Sequence, residues 1–257
     1  MTRLPYRLFL LLSLLLLWLP HHARAAPALS AGIDHAKASI VGIGSHQATR
    51  SPPVAFVGTG FVVGDGLTVL TAAHVLQSQL MGERKDTLGI LLGHGDRAQF
   101  RPATVVALDR EHDLAQLRIA GAPLPAMRLG DSATVVEGQS MVFTGFPLGM
   151  LLGLHHVTHR AMVSAITPVA LPAMRADKLD PKLLVQLRKP PYPVFQLDGT
   201  AYPGSSGSPL YDPESGLVYG VINMVYVKGL KEAAVTAPSG ITYAIPGNYI
   251  RDLLRAK

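Results

Sequence analysis

Apolar positions along this chain fall in short runs cut by glycine and proline. "SIVGIG" (39–44), "VAFVGTGFVV" (54–63) and "LTVLTAAHVL" (67–76) are rich in β-branched and aromatic residues, with the turn-forming "RSPP" and "GDG" between them. "ATVVALD" and "DLAQLRI" follow, then a proline-bearing link near 120–132. A second set reads "QSMVFTGFP", "HHVTHRAMVSAI", "YPVFQLD", "GLVYGVINMVYV" and "GITYAIP". Two groups of short strands predict two packed antiparallel barrels or a sandwich. Helical patterning is confined to two places. "DPKLLVQLRK" predicts a short helix inside segment 167–193, which with its extended "KPPYP" reads as an inserted surface loop. In "PGNYIRDLLRAK", Pro246 stands where a helix can start, and Ile250, Leu253 and Leu254 share one face. No repeat at solenoid spacing and no low-complexity tract interrupts this order.

The first residues change the picture of where the chain works. Arg3 and Arg7 precede an apolar run from Leu8 to Leu19, and Ala23-Arg24-Ala25 is a small-x-small cleavage site. These are the parts of a secretory signal, predicted to span 1–25 and to be cut after Ala25, since the apolar run is short for a membrane span. Residues 26–38 then form a polar lead. Of the 257 residues none is cysteine, which excludes disulfides, thiol catalysis and a lipid-modified cysteine anchor. An exported chain without disulfides fits a bacterial periplasm or exterior. The net charge of +6 includes Arg3, Arg7 and Arg24; without them 20 basic and 17 acidic residues remain, and no basic stripe interleaves with aromatics. Nucleic-acid binding therefore has no support.

Three stretches carry candidate chemistry. "TVLTAAHVL" presents His74 just past a strand, after two alanines that leave room for another segment to approach. In "HDLAQLRIA", Ala115, Leu117 and Ile119 alternate with Gln116 and Arg118, and Asp113 shares the apolar parity, so it should point inward at the start of that strand. An inward carboxylate needs a partner, which an imidazole N–H or a turn could supply. "PGSSGSPL" could be a plain polar turn, yet acyl transfer needs a hydroxyl beside a base and two N–H donors converging on the developing oxyanion. Ser206 alone has a glycine two before it, Gly204, and one directly after, Gly207; Ser205 and Ser208 lack this framing.

The order His74, Asp113, Ser206, carried by "TAAHV", "HDLAQLRI" and "PGSSGSPL", resembles the three catalytic motifs of trypsin-like serine peptidases, specifically the HtrA/Deg type. "GTGFVVGDG", "GFPLG", "QLD" and "ITYAIPGNYI" resemble framework segments of that type in the same order, so the likeness spans roughly 54–250. It implies an all-β fold of two antiparallel six-stranded β-barrels, chymotrypsin-like, with a short C-terminal helix. The peptidase domain would cover 39–257, with barrels at about 39–125 and 126–257. His74 would be general base, Asp113 its orienter, Ser206 the nucleophile, and the N–H groups of Gly204 and Ser206 the oxyanion hole. No cofactor is needed.

The chain departs from that type at Ser205 and Ser208, where asparagine and glycine are usual, and Ser205 argues against activation by a cleaved N-terminus. Thr200 stands near the position of the acid that binds Arg or Lys in trypsin-type enzymes. With Ala201, Asn223, Met224 and Val225 it outlines a substrate pocket for small or medium apolar side chains. The sequence after "AIPGNYI" is too short for the PDZ domain many HtrA proteins carry, and the lead has no aromatic residue before Phe56, so family-style trimerisation is not expected and the oligomeric state is open. His155 and His159 lie four apart, but β-branched Val157 and Thr158 between them favour a strand over a helical metal site, and no metal is assigned. The expected partners are polypeptide substrates, with a membrane involved only if the signal segment is retained as an anchor. The rival readings are a catalytically idle or regulated binding protein on the same fold and a hydrolase of small esters.

Overall fold

The computed structural model describes residues 25–76, 86–93, 95, 98–169, 191–223 and 241–255. The expected signal segment before Ala25, the predicted helix in "DPKLLVQLRK", and Met224 and Val225 lie outside the described residues. Six strands close the first barrel in the order β1-β2-β3-β6-β5-β4: β1 (Ile40–His46), β2 (Val54–Val63), β3 (Thr68–Ala72), β4 (Thr87–Leu92), β5 (Gln99–Asp109) and β6 (Leu114–Ile119). The second sheet runs β11-β8-β9-β10-β13-β12-β7, from β7 (Arg128–Leu129), β8 (Ser140–Gly145), β9 (Val157–Pro168), β10 (Pro193–Leu197), β11 (Pro209–Tyr211), β12 (Leu217–Asn223) and β13 (Thr242–Pro246). Pairing of β11 with β12 closes six of these strands into a second antiparallel barrel, and β7 adds to β12 in parallel. The fold is the expected pair of six-stranded barrels, all-β with a short helix, α3 (Asn248–Arg255), near the end.

Two helices were not anticipated. The lead forms α1 (Ala25–Lys37), an alanine-rich helix whose Ala36 is buried and whose Gly32 passes so close to the Pro213 carbonyl that a Cβ there would overlap it. This docking supports the short helix. A one-turn helix, α2 (Gly149–Leu152), follows β8. The ends of segment 167–193 are also more ordered than a surface loop: Val194 pairs with Thr167, Pro193 with Pro168, and the Val169 N–H donates to the Tyr192 carbonyl at 2.9 Å.

Alternation decides what each barrel encloses. Val41, Ile43, Val62, Val69, Ile90, Ala115 and Leu117 fill the first, and Met141, Phe143, Val163, Phe195, Leu197 and Ile222 the second. A third cluster joins them, with Phe56, Phe61 and Leu114 meeting Phe146, Tyr211, Val221 and Ile245, and with Ile250 and Leu253 of α3 buried at its edge. The two barrels thus share one apolar seam, and the loops that cross it hold the candidate site.

His159 sits in β9 opposite Phe143, its ring stacked on that phenyl with centroids 4.9 Å apart. Its Nε2 is buried and has no partner among the described residues. Burial holds its imidazole below the ordinary histidine value, so the unfolded chain takes up this proton at higher pH than the folded one. The neutral ring's contribution to stability is full above about pH 6.5 and is lost as the pH falls below it. The thermal midpoint of the wild-type chain should therefore fall on going from about pH 7.5 to about pH 5.5 by more than that of His159→Phe, as read by circular dichroism.

Candidate active site

β3 ends at Ala72 and breaks into a 3-10 turn, Ala73–Leu76, which brings the partly exposed His74 out at the seam. Across from it, Asp113 precedes β6 and has a φ of 55°, in the left-handed region. Strand parity therefore does not aim this carboxylate; a left-handed turn does, at a cost of about 1–2 kcal/mol for a residue with a Cβ. The neighbouring hydrogen bonds hold it there. Asp113 Oδ1 accepts the His74 N–H at 2.8 Å, Oδ2 accepts from His74 Nδ1 at 2.5 Å, and the Asp113 carbonyl accepts the Ala73 N–H at 2.9 Å. A carboxylate can only accept, so Nδ1 carries the proton.

A third donor to the carboxylate is Asn223, whose Nδ2 lies 2.7 Å from Asp113 Oδ2. Asn223 closes β12 and is fully buried. The sequence places Asn223 in the expected substrate pocket; in the fold its amide binds the aspartate. The overlooked signal is a single polar residue ending an apolar strand, which must find a buried partner.

Ser206 is delivered by the loop between β10 and β11 and is itself 8% exposed. Its carbonyl accepts the Thr59 N–H at 2.9 Å, and Gly207, with a φ of 86°, lies so close to the Thr59 carbonyl and Thr71 hydroxyl that no side chain fits there. The same contact brings Gly207 against the backbone N of Ala72, two residues before His74. The space left by the two alanines is thus filled by the Ser206–Gly207 backbone.

Gly204 has a φ of 99°, and a Cβ on it would overlap the Phe146 carbonyl and crowd the Phe56 ring. The preceding peptide is fixed from outside: the Pro203 carbonyl accepts the Leu148 N–H at 2.7 Å. In a trans peptide N–H and C=O point opposite ways, so this bond turns the Gly204 N–H away from Leu148. Among the described residues neither the Gly204 nor the Ser206 N–H has an acceptor. Leu148 itself takes a φ of 51°, the other left-handed non-glycine position among the described residues. Thr59 completes the frame. Its hydroxyl donates to the Gly204 carbonyl at 2.7 Å and accepts the Phe146 N–H at 3.1 Å, while its own carbonyl accepts from Thr71 Oγ1 at 2.7 Å. Neither Thr59 nor Leu148 stands out in the sequence, because their bonds join residues far apart in the chain.

Of the remaining pocket residues, Thr200 is partly exposed and Ala201 is buried with its N–H on Thr242 Oγ1 at 2.9 Å. His155 precedes β9 and His159 lies within it, so the two do not share a helix turn.

Residues 58–221 match the model of the trypsin-like peptidase domain. The chain is similar to the mitochondrial serine protease HTRA2 of Drosophila pseudoobscura pseudoobscura, 29% identical over 203 residues, which is 79% of this chain and 39% of that protein. It is likewise similar to a probable periplasmic serine endoprotease, DegP-like, of Pseudomonas fluorescens, 27% identical over 81% of this chain and 36% of that protein. The chain therefore spans well under half the length of these relatives. In fold it resembles the active form of the Rv3671c protease from M. tuberculosis, with a TM-score of 0.62 and 23% identity over 90% of this chain and 85% of that one.

Thr59→Val keeps the shape of this side chain but leaves the part-buried Gly204 carbonyl and the buried Phe146 N–H unpaired. It should destabilise the protein by about 1–3 kcal/mol in urea denaturation, and Thr59→Ser by much less.

Proposed function

This chain belongs to the trypsin-like peptidase family, in its HtrA type, and from that premise we propose that it is a serine endopeptidase with Ser206 as nucleophile, His74 as general base and Asp113 as the group that orients it. The observation that carries this reading is the His74 Nδ1–Asp113 Oδ2 hydrogen bond at 2.5 Å, which leaves Nε2 as the proton acceptor. Ser206 Oγ would attack the scissile carbonyl carbon while its proton passes to His74 Nε2. The carbonyl oxygen, now negative, would be met by the N–H groups of Gly204 and Ser206. Collapse of the tetrahedral intermediate breaks the C–N bond, and the proton on His74 goes to the leaving amine. Water then gives up a proton to His74 and attacks the acyl carbon; the ester C–O bond breaks, the acid product leaves, and the proton on His74 returns to Ser206 Oγ. No step calls for a cofactor.

The substrate proposed is exposed or unfolded polypeptide, with small or medium apolar side chains preferred at P1. Thr200 in place of an acid, beside the buried Ala201, supports this preference. Export to a periplasm or exterior is proposed from the leader-like residues 1–25 and from the periplasmic name of the DegP-like relative.

Cleavage of fluorescently labelled casein tests the reading. The wild-type chain should cut it, and Ser206→Ala should lose at least about a thousandfold in kcat with its thermal midpoint kept. Activity should also fall on acidification, since a protonated histidine accepts no proton from serine. No cleavage by a folded wild-type chain would favour a binding protein on this scaffold. Turnover of small esters without casein would favour an esterase.

A further inference from the structure

The turn that delivers Asp113 is held on its far side by a second histidine–aspartate pair. Asp109 Oδ1 accepts the N–H groups of Glu111 and His112, each at 3.0 Å, and Asp109 Oδ2 accepts from His112 Nδ1 at 2.6 Å. One carboxylate therefore fixes both the backbone and the ring of His112. That ring lies flat on Tyr249, with centroids 3.8 Å apart and planes 16° from parallel. It meets Tyr192 edge-on at 4.6 Å, and Tyr192 meets Tyr249 at 5.6 Å. The three rings come from three elements: the turn between β5 and β6, the segment entering β10, and α3. Aromatic clusters of this kind add to the energy of burial through ring geometry.

His112 directly precedes Asp113, whose left-handed backbone is bound on its other side by the Ala73 N–H. A residue in that conformation persists only where its surroundings over-determine it. On the His112 side those surroundings are the Asp109 carboxylate and the two tyrosines. The bonds and ring contacts of His112 go to Asp109, Tyr192 and Tyr249, so their influence on His74 runs through Asp113.

We propose that His112, packed against both Tyr192 and Tyr249 and tied to Asp109, is a positioning residue that holds the 109–113 turn so that Asp113 meets His74. The proposal rests on the catalytic reading above for its effect on turnover. It also makes the docking of α3 against the first barrel a condition of an aligned active site, because Tyr249 is a residue of that helix.

Two measurements on the full chain test it. In casein cleavage, at temperatures well below each variant's thermal midpoint, His112→Ala and Tyr249→Ala should lower kcat by about tenfold to a hundredfold while KM changes by less than about twofold. Tyr249→Phe, which keeps the ring, should restore most of kcat. In proton NMR of the chain labelled with 15N-histidine, the low-field His74 Nδ1–H signal should shift or broaden in both alanine variants and persist in Tyr249→Phe. Lowered midpoints with kcat and this signal unchanged would make the cluster purely structural and overturn the proposal. An inactive wild-type chain whose His74 signal nonetheless responds in the alanine variants would sink the catalytic reading and leave the positioning role standing.

Discussion

Everything about the site depends on a buried threonine that ties two barrels together. Thr59 belongs to the first barrel, yet its N–H and hydroxyl both bind the loop that carries Ser206, and the hydroxyl also takes the N–H of Phe146 at the end of β8. None of these partners is local in sequence, and all are buried or part-buried, so each bond lost would leave a polar group at least partly desolvated. Apolar burial presses the barrels together along the Phe56–Phe146–Tyr211 seam, but burial is not directional. The hydrogen bonds of Thr59 select the one registration that sets Gly207 against the Ala72 backbone and puts the serine loop beside the histidine turn.

Within that registration, the reactive groups stand on strained or crowded backbone. Asp113 and Leu148 are left-handed without being glycine, and Gly204 and Gly207 occupy positions where a side chain would overlap the neighbouring strand. Each is held by bonds from another element: Asp113 by Ala73, His74 and Asn223, and the Pro203–Gly204 peptide by Leu148. Groups placed this way do not need to be organised by a ligand, which is the sense in which a preorganised site stabilises charge.

Much of this was legible from the chain, and the exceptions have physical causes. "VAFVGTGFVV" became β2 residue for residue, because a run of β-branched residues bounded by turns has few alternatives. The strand over 87–92 and the three-residue β11 were missed; the latter begins at a proline and exists because β8 and β12 flank it. The α1 helix went unseen because docking supports it. Asp113 was picked out by strand alternation, although a left-handed turn outside the strand is what aims it. The bond of Asn223 to Asp113 and those of Thr59 were not legible, because they join partners more than a hundred residues apart.

The most direct test of the account is covalent labelling of the purified chain with a fluorophosphonate probe, followed by intact and peptide mass spectrometry. An assembled nucleophile, base and oxyanion pocket predicts one adduct, on Ser206, and none on Ser206→Ala. A folded chain that takes no adduct, or takes it on Ser205 or Ser208, would contradict the claim that this frame holds a working acyl-transfer site.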